Sequence, residues 1–83
     1  MANKEKERRE LVSVEIDGKT HTGTLIITGT NKLRFSVEYR GQMIGDSRSW
    51  GTDAEELKNL RVMAKAQLLQ LVYDVEGNHA ETN

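Results

Sequence analysis

Leu33 to Leu57 reads LRFSVEYRGQMIGDSRSWGTDAEEL, and the periodicity of the chain changes inside this stretch. Its first part alternates, with Leu33, Phe35, Val37 and Tyr39 to one side and Arg34 and Glu38 to the other, flanked by Lys32 and Arg40. A period of two marks a strand with one buried face. Arg40-Gly41 then turns the chain into a weaker strand, QMIGDSRSW, whose facing the pattern leaves open. A two-residue turn pairs Val37 with Ile44 and brings Asp46 and Arg48 among the apolar side chains. A three-residue turn sends Met43, Gly45, Ser47 and Ser49 inward and leaves Ile44 and Trp50 outward, because one residue of slip exchanges the faces of a strand. A bulge at Gly45-Asp46 reconciles the two halves. In each case the expectation is an irregular edge strand. The stretch closes on TDAE, which reads as a capping box. Thr52 accepts from the backbone N–H of Glu55, and the Glu55 side chain returns to the N–H of Thr52.

Downstream, from Asp53 to Tyr73 or beyond, the period becomes helical. Leu57, Leu60, Ala64, Leu68, Leu71 and Val75 fall on one narrow stripe, which is expected to cover the sheet. Val62, Ala66, Leu69 and Tyr73 make a second stripe on nearly the opposite side, flanked by Lys58, Asn59, Lys65 and Gln70. A helix lying on one sheet needs a single apolar face. The second stripe is therefore read as an association surface, with Val62, Ala66, Leu69 and Tyr73 as a dimer interface. The competing explanations are that Leu11 or a folded-back tail covers it, or that an exposed Val and Ala mean nothing singly.

Upstream, LVSVEID alternates with Val12, Val14 and Ile16 on one face, and Asp17-Gly18 suits a tight hairpin turn. THTGTLIIT is a second, β-branched strand that ends at Gly29. Register places His21 near Val14, on the inner face or its rim. Residues 1–10 carry alternating charge without an apolar period and read as a flexible tail; residues 76–83 lack an apolar anchor and read as a disordered one. The folded unit is then a single domain over 11–75. The expected fold class is α+β: a four-stranded antiparallel meander packed on one long C-terminal helix.

At 83 residues, with 36% apolar and 30% charged residues, the chain is near the size where one core gives modest stability. It has no cysteine, so neither disulfides nor a thiolate metal site reinforce it. Association is the expected source of added stability, and a homodimer is expected. No apolar run approaches a membrane span and no signal-peptide pattern opens the chain, so the expected location is cytoplasmic, with no membrane partner.

Catalysis finds little support. Ser47 and Ser49 need a base within reach, and only His21 and His79 are on offer. No Gly-x-Ser-x-Gly elbow occurs. The histidines are far apart and no Asp-x-Asp or His-x-x-x-His spacing exists, so neither metal nor cofactor is expected. Asp53, Glu55 and Glu56 complement a helix start without any metal. An anion at that helix start would meet Asp46 as well as these three.

Leu33–Leu57, about a third of the chain, resembles the three-stranded-sheet N-terminal DNA-binding domain of tyrosine-recombinase integrases in its basic strand, Gly turn, aromatic and capped helix. That resemblance implies nucleic-acid contacts from Lys32, Arg34, Arg40 and Arg48, helped by Lys4, Lys6, Arg8 and Arg9. The net charge of −1, with Glu38, Glu15 and Asp17 close by, opposes the positive footprint that phosphate binding needs. The DGKTHTGT hairpin and the AKAQLLQLV helix are similar to those of small uncharacterised bacterial proteins. The whole profile resembles small phage or prophage proteins, anti-CRISPR inhibitors among them, which block a larger complex. The leading expectation is a non-enzymatic protein-binding module with Glu38, Tyr39, Arg40, Arg48 and Trp50 as contact residues. Nucleic-acid binding is the alternative.

Overall fold

A computed structural model describes residues 7–81, and the side chains of residues 7–77. Four strands, β1 (Glu7–Ile16), β2 (Lys19–Thr28), β3 (Arg34–Tyr39) and β4 (Gln42–Gly45), precede one helix, α1 (Ala54–Glu81). The strands lie in the order β1-β2-β3-β4, every neighbouring pair antiparallel. The fold is the expected α+β meander under a long C-terminal helix.

Both two-residue hairpin turns follow from local chemistry. Asp17 and Gly18 have φ of 52° and 79°, and Arg40 and Gly41 have 52° and 82°. Two successive positive φ values are what a turn matching the right-handed strand twist requires, and glycine supplies the second at no steric cost.

The core lies between the sheet and one face of α1. Val12, Leu25, Ile27, Leu33, Phe35, Val37, Tyr39 and Trp50 meet Leu60, Ala64, Leu68, Leu71 and Val72, with Leu57 and Val75 packed at the margin. All six residues of the expected helical stripe take part, and Val72 joins them. Over β2 the helix packs directly on Gly23. A Cβ there would lie 2.7 Å from the Glu38 carbonyl oxygen and 2.9 Å from Leu68 Cδ1. The missing side chain is the space that Leu68 occupies.

Three expectations are corrected. The strand begins at Glu7, so residues 7–10 are not a tail; residues 1–6 lie outside the described residues. Arg8 and Glu10 face the helix side, and Arg61 holds Glu10 with two hydrogen bonds, from Nε at 3.1 Å and Nη2 at 2.9 Å. Charge pairing here replaces the apolar alternation that would have announced a strand. The helix also runs past Val75 to Glu81, because Glu76 is anchored by the Tyr39 hydroxyl at 2.8 Å and by Arg40 at 3.2 Å. Finally, the N-cap is Asp53 rather than Thr52. Asp53 Oδ1 accepts from the Glu56 N–H at 2.8 Å, its C=O accepts from Leu57, and Glu56 Oε1 accepts from the Gly51 N–H. Asp is the stronger cap of the two, and DAEE supplies the acid three residues on.

Two stability measurements test these contacts. Gly23→Ala should lower unfolding free energy by about 1–3 kcal/mol through overpacking, while Gly45→Ala, whose Cβ would find ordinary contacts of 3.7 Å, should lower it less. The hydrogen bonds from Arg61 hold the Glu10 carboxyl below its ordinary value of 4.5. The folded state then binds that proton less readily than the unfolded chain. The stabilisation is complete above the unfolded value and lost as pH falls through the lowered one. Urea melts of Glu10→Gln and the parent should differ by roughly 0.2–1 kcal/mol at neutral pH, the range for solvent-exposed ion pairs, and converge in acid.

Candidate protein-binding surface

The register left open around Asp46 is settled by the turn and by a loop. Arg40-Gly41 is a two-residue turn, and Val37 pairs with Ile44. Ser36 pairs with Gly45, yet Leu33 pairs with Trp50, so three steps along β3 are matched by five along the other segment. Two extra residues preserve facing, and Ile44 and Trp50 both turn inward. Asp46 builds the excursion: Oδ1 accepts from the Arg48 N–H at 3.2 Å and Oδ2 from Trp50 Nε1–H at 3.1 Å. The indole is 3% exposed, 6.4 Å from the Phe35 ring, and the Arg48 guanidinium stacks 4.0 Å above it. Asp46 is half-buried beside the core, as that turn implied, while Arg48 escapes to the surface.

At the other end of the sheet, Tyr39 joins both layers. Its hydroxyl donates to Glu76 Oε2 and lies 3.1 Å from His21 Nδ1, while Arg40, its guanidinium 5.8 Å from the Tyr39 ring centroid, pairs with the same carboxylate. Burial, and then the bond to Glu76 and the charge of that group, push the Tyr39 hydroxyl above its ordinary value. It stays a donor at neutral pH, a clasp between β3 and α1. Ser47 and Ser49 lie near Leu33 at the opposite end of β3, about 20 Å from His21 at roughly 3.3 Å per residue. His21 therefore cannot activate either hydroxyl. Among the described residues no group of three or more His, Cys, Asp or Glu side chains could hold a metal ion.

These positions redistribute the expected contact residues. Tyr39 and Trp50 are buried in the core and offer no aromatic surface. Glu38 is half-buried on the sheet face away from the helix, in one row with Leu11, Thr24 and Met43. Arg40 and Arg48 are exposed, each committed to an internal partner. The expected nucleic-acid cations do not form one footprint. Lys32, Arg34 and Arg48 gather at one end of β3 and Arg40 sits at the other, while Glu7, Glu15 and Glu38 share the outer sheet face with Arg34. Of the supporting cations, Arg8 and Arg9 pair with Glu10 and Glu7; Lys4 and Lys6 lie outside the described residues.

The helix stripe, by contrast, is laid open as one surface. Val62 is 59% exposed, Leu69 37% and Tyr73 57%, with Ala66 exposed among them. Leu11 does not cover it: Leu11 belongs to the outer face of β1 and is itself 78% exposed. Besides Met63 on α1, at 37%, the sheet exposes Leu11 and Met43, the latter at 58%, and sequence reasoning singled out none of the three as a candidate contact. For Leu11 and Met43 the available signal was phase, since each is one step out of register with the inward residue beside it.

Asp46→Ala removes two bonds and leaves a buried indole N–H without its acceptor. It should cost about 1–3 kcal/mol. Trp50 is the sole tryptophan, so its fluorescence reports the opening of this corner directly.

No protein-family model matches this chain, and comparison with curated proteins and with solved structures gives no match.

Proposed function

We propose that this chain is a non-enzymatic protein-binding module, working as a homodimer in the cytoplasm, and that the outer face of α1 is where a partner protein docks. The observation that supports the reading is the exposed stripe of Val62, Ala66, Leu69 and Tyr73, on a helix that already buries its opposite face against the sheet. Their spacing is that of the anchors with which a helix enters an apolar groove. Tyr73 is the natural energetic centre, because aromatic side chains combine large contact area with a hydroxyl that tolerates a wet rim. Lys58 and Lys65 flank the stripe and favour a partner with an acidic border. The likeness to small phage proteins makes the blocking of a larger complex the first form of such binding to examine.

The test is capture from a lysate of the source organism on immobilised protein, comparing the parent with Val62→Glu and Tyr73→Glu. Both positions are exposed, so circular dichroism should be unchanged. A partner retained by the parent should bind each variant at least tenfold more weakly, as expected for a truncated or charged hot spot. Equal retention by all three proteins would refute the assignment of this face.

A further inference from the structure

The two edges of the sheet are unlike. β4 is four residues long and breaks into the excursion held by Asp46, so it offers another chain almost no ladder. β1 runs for ten residues in unbroken register with β2, without bulge or proline. No described strand pairs with its other side. A long edge with open N–H and C=O groups is a template for a further strand.

The phase of that edge follows from the hairpin. The two-residue turn makes Ile16 and Lys19 a hydrogen-bonded pair, so Arg8, Glu10, Val12, Val14 and Ile16 direct their backbone groups at β2. Glu7, Arg9, Leu11, Ser13 and Glu15 direct theirs outward. Their side chains occupy the sheet face away from the helix, where Leu11 is uncovered.

We propose that β1 pairs antiparallel with β1 of a second copy about a twofold axis at Val12, joining two sheets into one. Charge selects this occupant and this register. With Val12 on the axis, Arg9 stands opposite Glu15 of the second copy and Leu11 opposite Ser13, each pair occurring twice by symmetry. An axis at Leu11 sets Glu7 against Glu15, and one at Glu10 sets that carboxylate against its own copy. An axis at Ser13 leaves Leu11 facing Glu15. From Glu10 to Ser13, Val12 alone matches opposite charges along the strand. Arg9 already holds Glu7 at 2.7 Å, and a guanidinium has donors for a second carboxylate. A shallow groove beside this edge, lined by Ser13, Val14, Glu15, Thr20, Lys65 and Leu69, points the same way. In the joined sheet both helices lie on one face, and the groove acquires a second wall from the copy, which covers the half-exposed Leu69.

This self-association is carried by β1 and meets the docking face of α1 only at its margin, Lys65 and Leu69, so charge reversals on β1 and Tyr73→Glu on α1 test the two separately. Sedimentation equilibrium of the parent should show a dimer. Arg9→Glu and Glu15→Arg should each weaken it roughly tenfold, the scale of a few cross-strand charge pairs reversed, and the double variant should restore it. Val12→Cys should form an intermolecular disulfide on mild oxidation. The axis pair is non-hydrogen-bonded, with Cα atoms about 4.5 Å apart, within disulfide reach. The chain has no other cysteine to compete. Tyr73→Glu should leave the dimer intact. A monomeric parent would overturn the proposal, and so would a dimer lost in Tyr73→Glu but indifferent to the charge reversals. Retention of strand content in each variant, by circular dichroism, separates loss of pairing from loss of fold.

Discussion

The absence of a side chain at Gly23 governs how the two layers meet. A helix covering a four-stranded sheet must approach closely somewhere, and here it does so where Leu68 enters the space above β2. From that seat the helix is steered by polar contacts to the periphery. Arg61 reaches Glu10 on one edge strand, Glu56 holds the loop at Gly51, and Glu76 meets Tyr39 and Arg40 where β3 enters its turn. The apolar stripe supplies attraction without direction, since burial is roughly proportional to area. The peripheral bonds supply direction, fixing the rotation of α1 and with it the outward aspect of Val62, Leu69 and Tyr73.

The polar groups that first suggested chemistry are consumed by this architecture. Asp46 shapes a loop, His21 and Tyr39 belong to a clasp, and Asp53 and Glu56 cap the helix. Each has a structural partner at hydrogen-bonding distance, and no buried side-chain polar atom among the described residues lacks one. Among the described residues the fold also leaves open an apolar stripe on α1 and the outer edge of β1.

Much of this was legible in the sequence because period carries it. Val12, Val14 and Ile16, then Leu33, Phe35, Val37 and Tyr39, announce one-sided strands, and the spacing of Leu57 to Val75 announces the helix and its inner face. The pairing of His21 with Val14 followed from the Asp17-Gly18 turn alone. Residues 7–10 were illegible because their strand is held by charges, which have no characteristic period. The true cap was obscured because Thr52 and Asp53 are both good caps with an acid three residues later, and only geometry decides between them. Trp50 and Tyr39 were proposed as contacts on residue type, yet the aromatic bulk that favours an interface equally favours a core. The exposed apolar stripe on α1 was legible for the opposite reason: its four residues violate the one-face economy of a helix on a sheet.

The excursion between Gly45 and Trp50 has a bearing on how this chain can change. Because it adds an even number of residues, the strand re-enters the ladder with its faces preserved, and the indole lands where a regular strand would have placed an inward side chain. A single-residue insertion or deletion there would expel Trp50 from the core. An insertion of two would enlarge the loop and keep its facing. Ser47 to Ser49 is thus a point where sequence length can grow in pairs, and where new recognition elements can be grafted without disturbing the layers beneath.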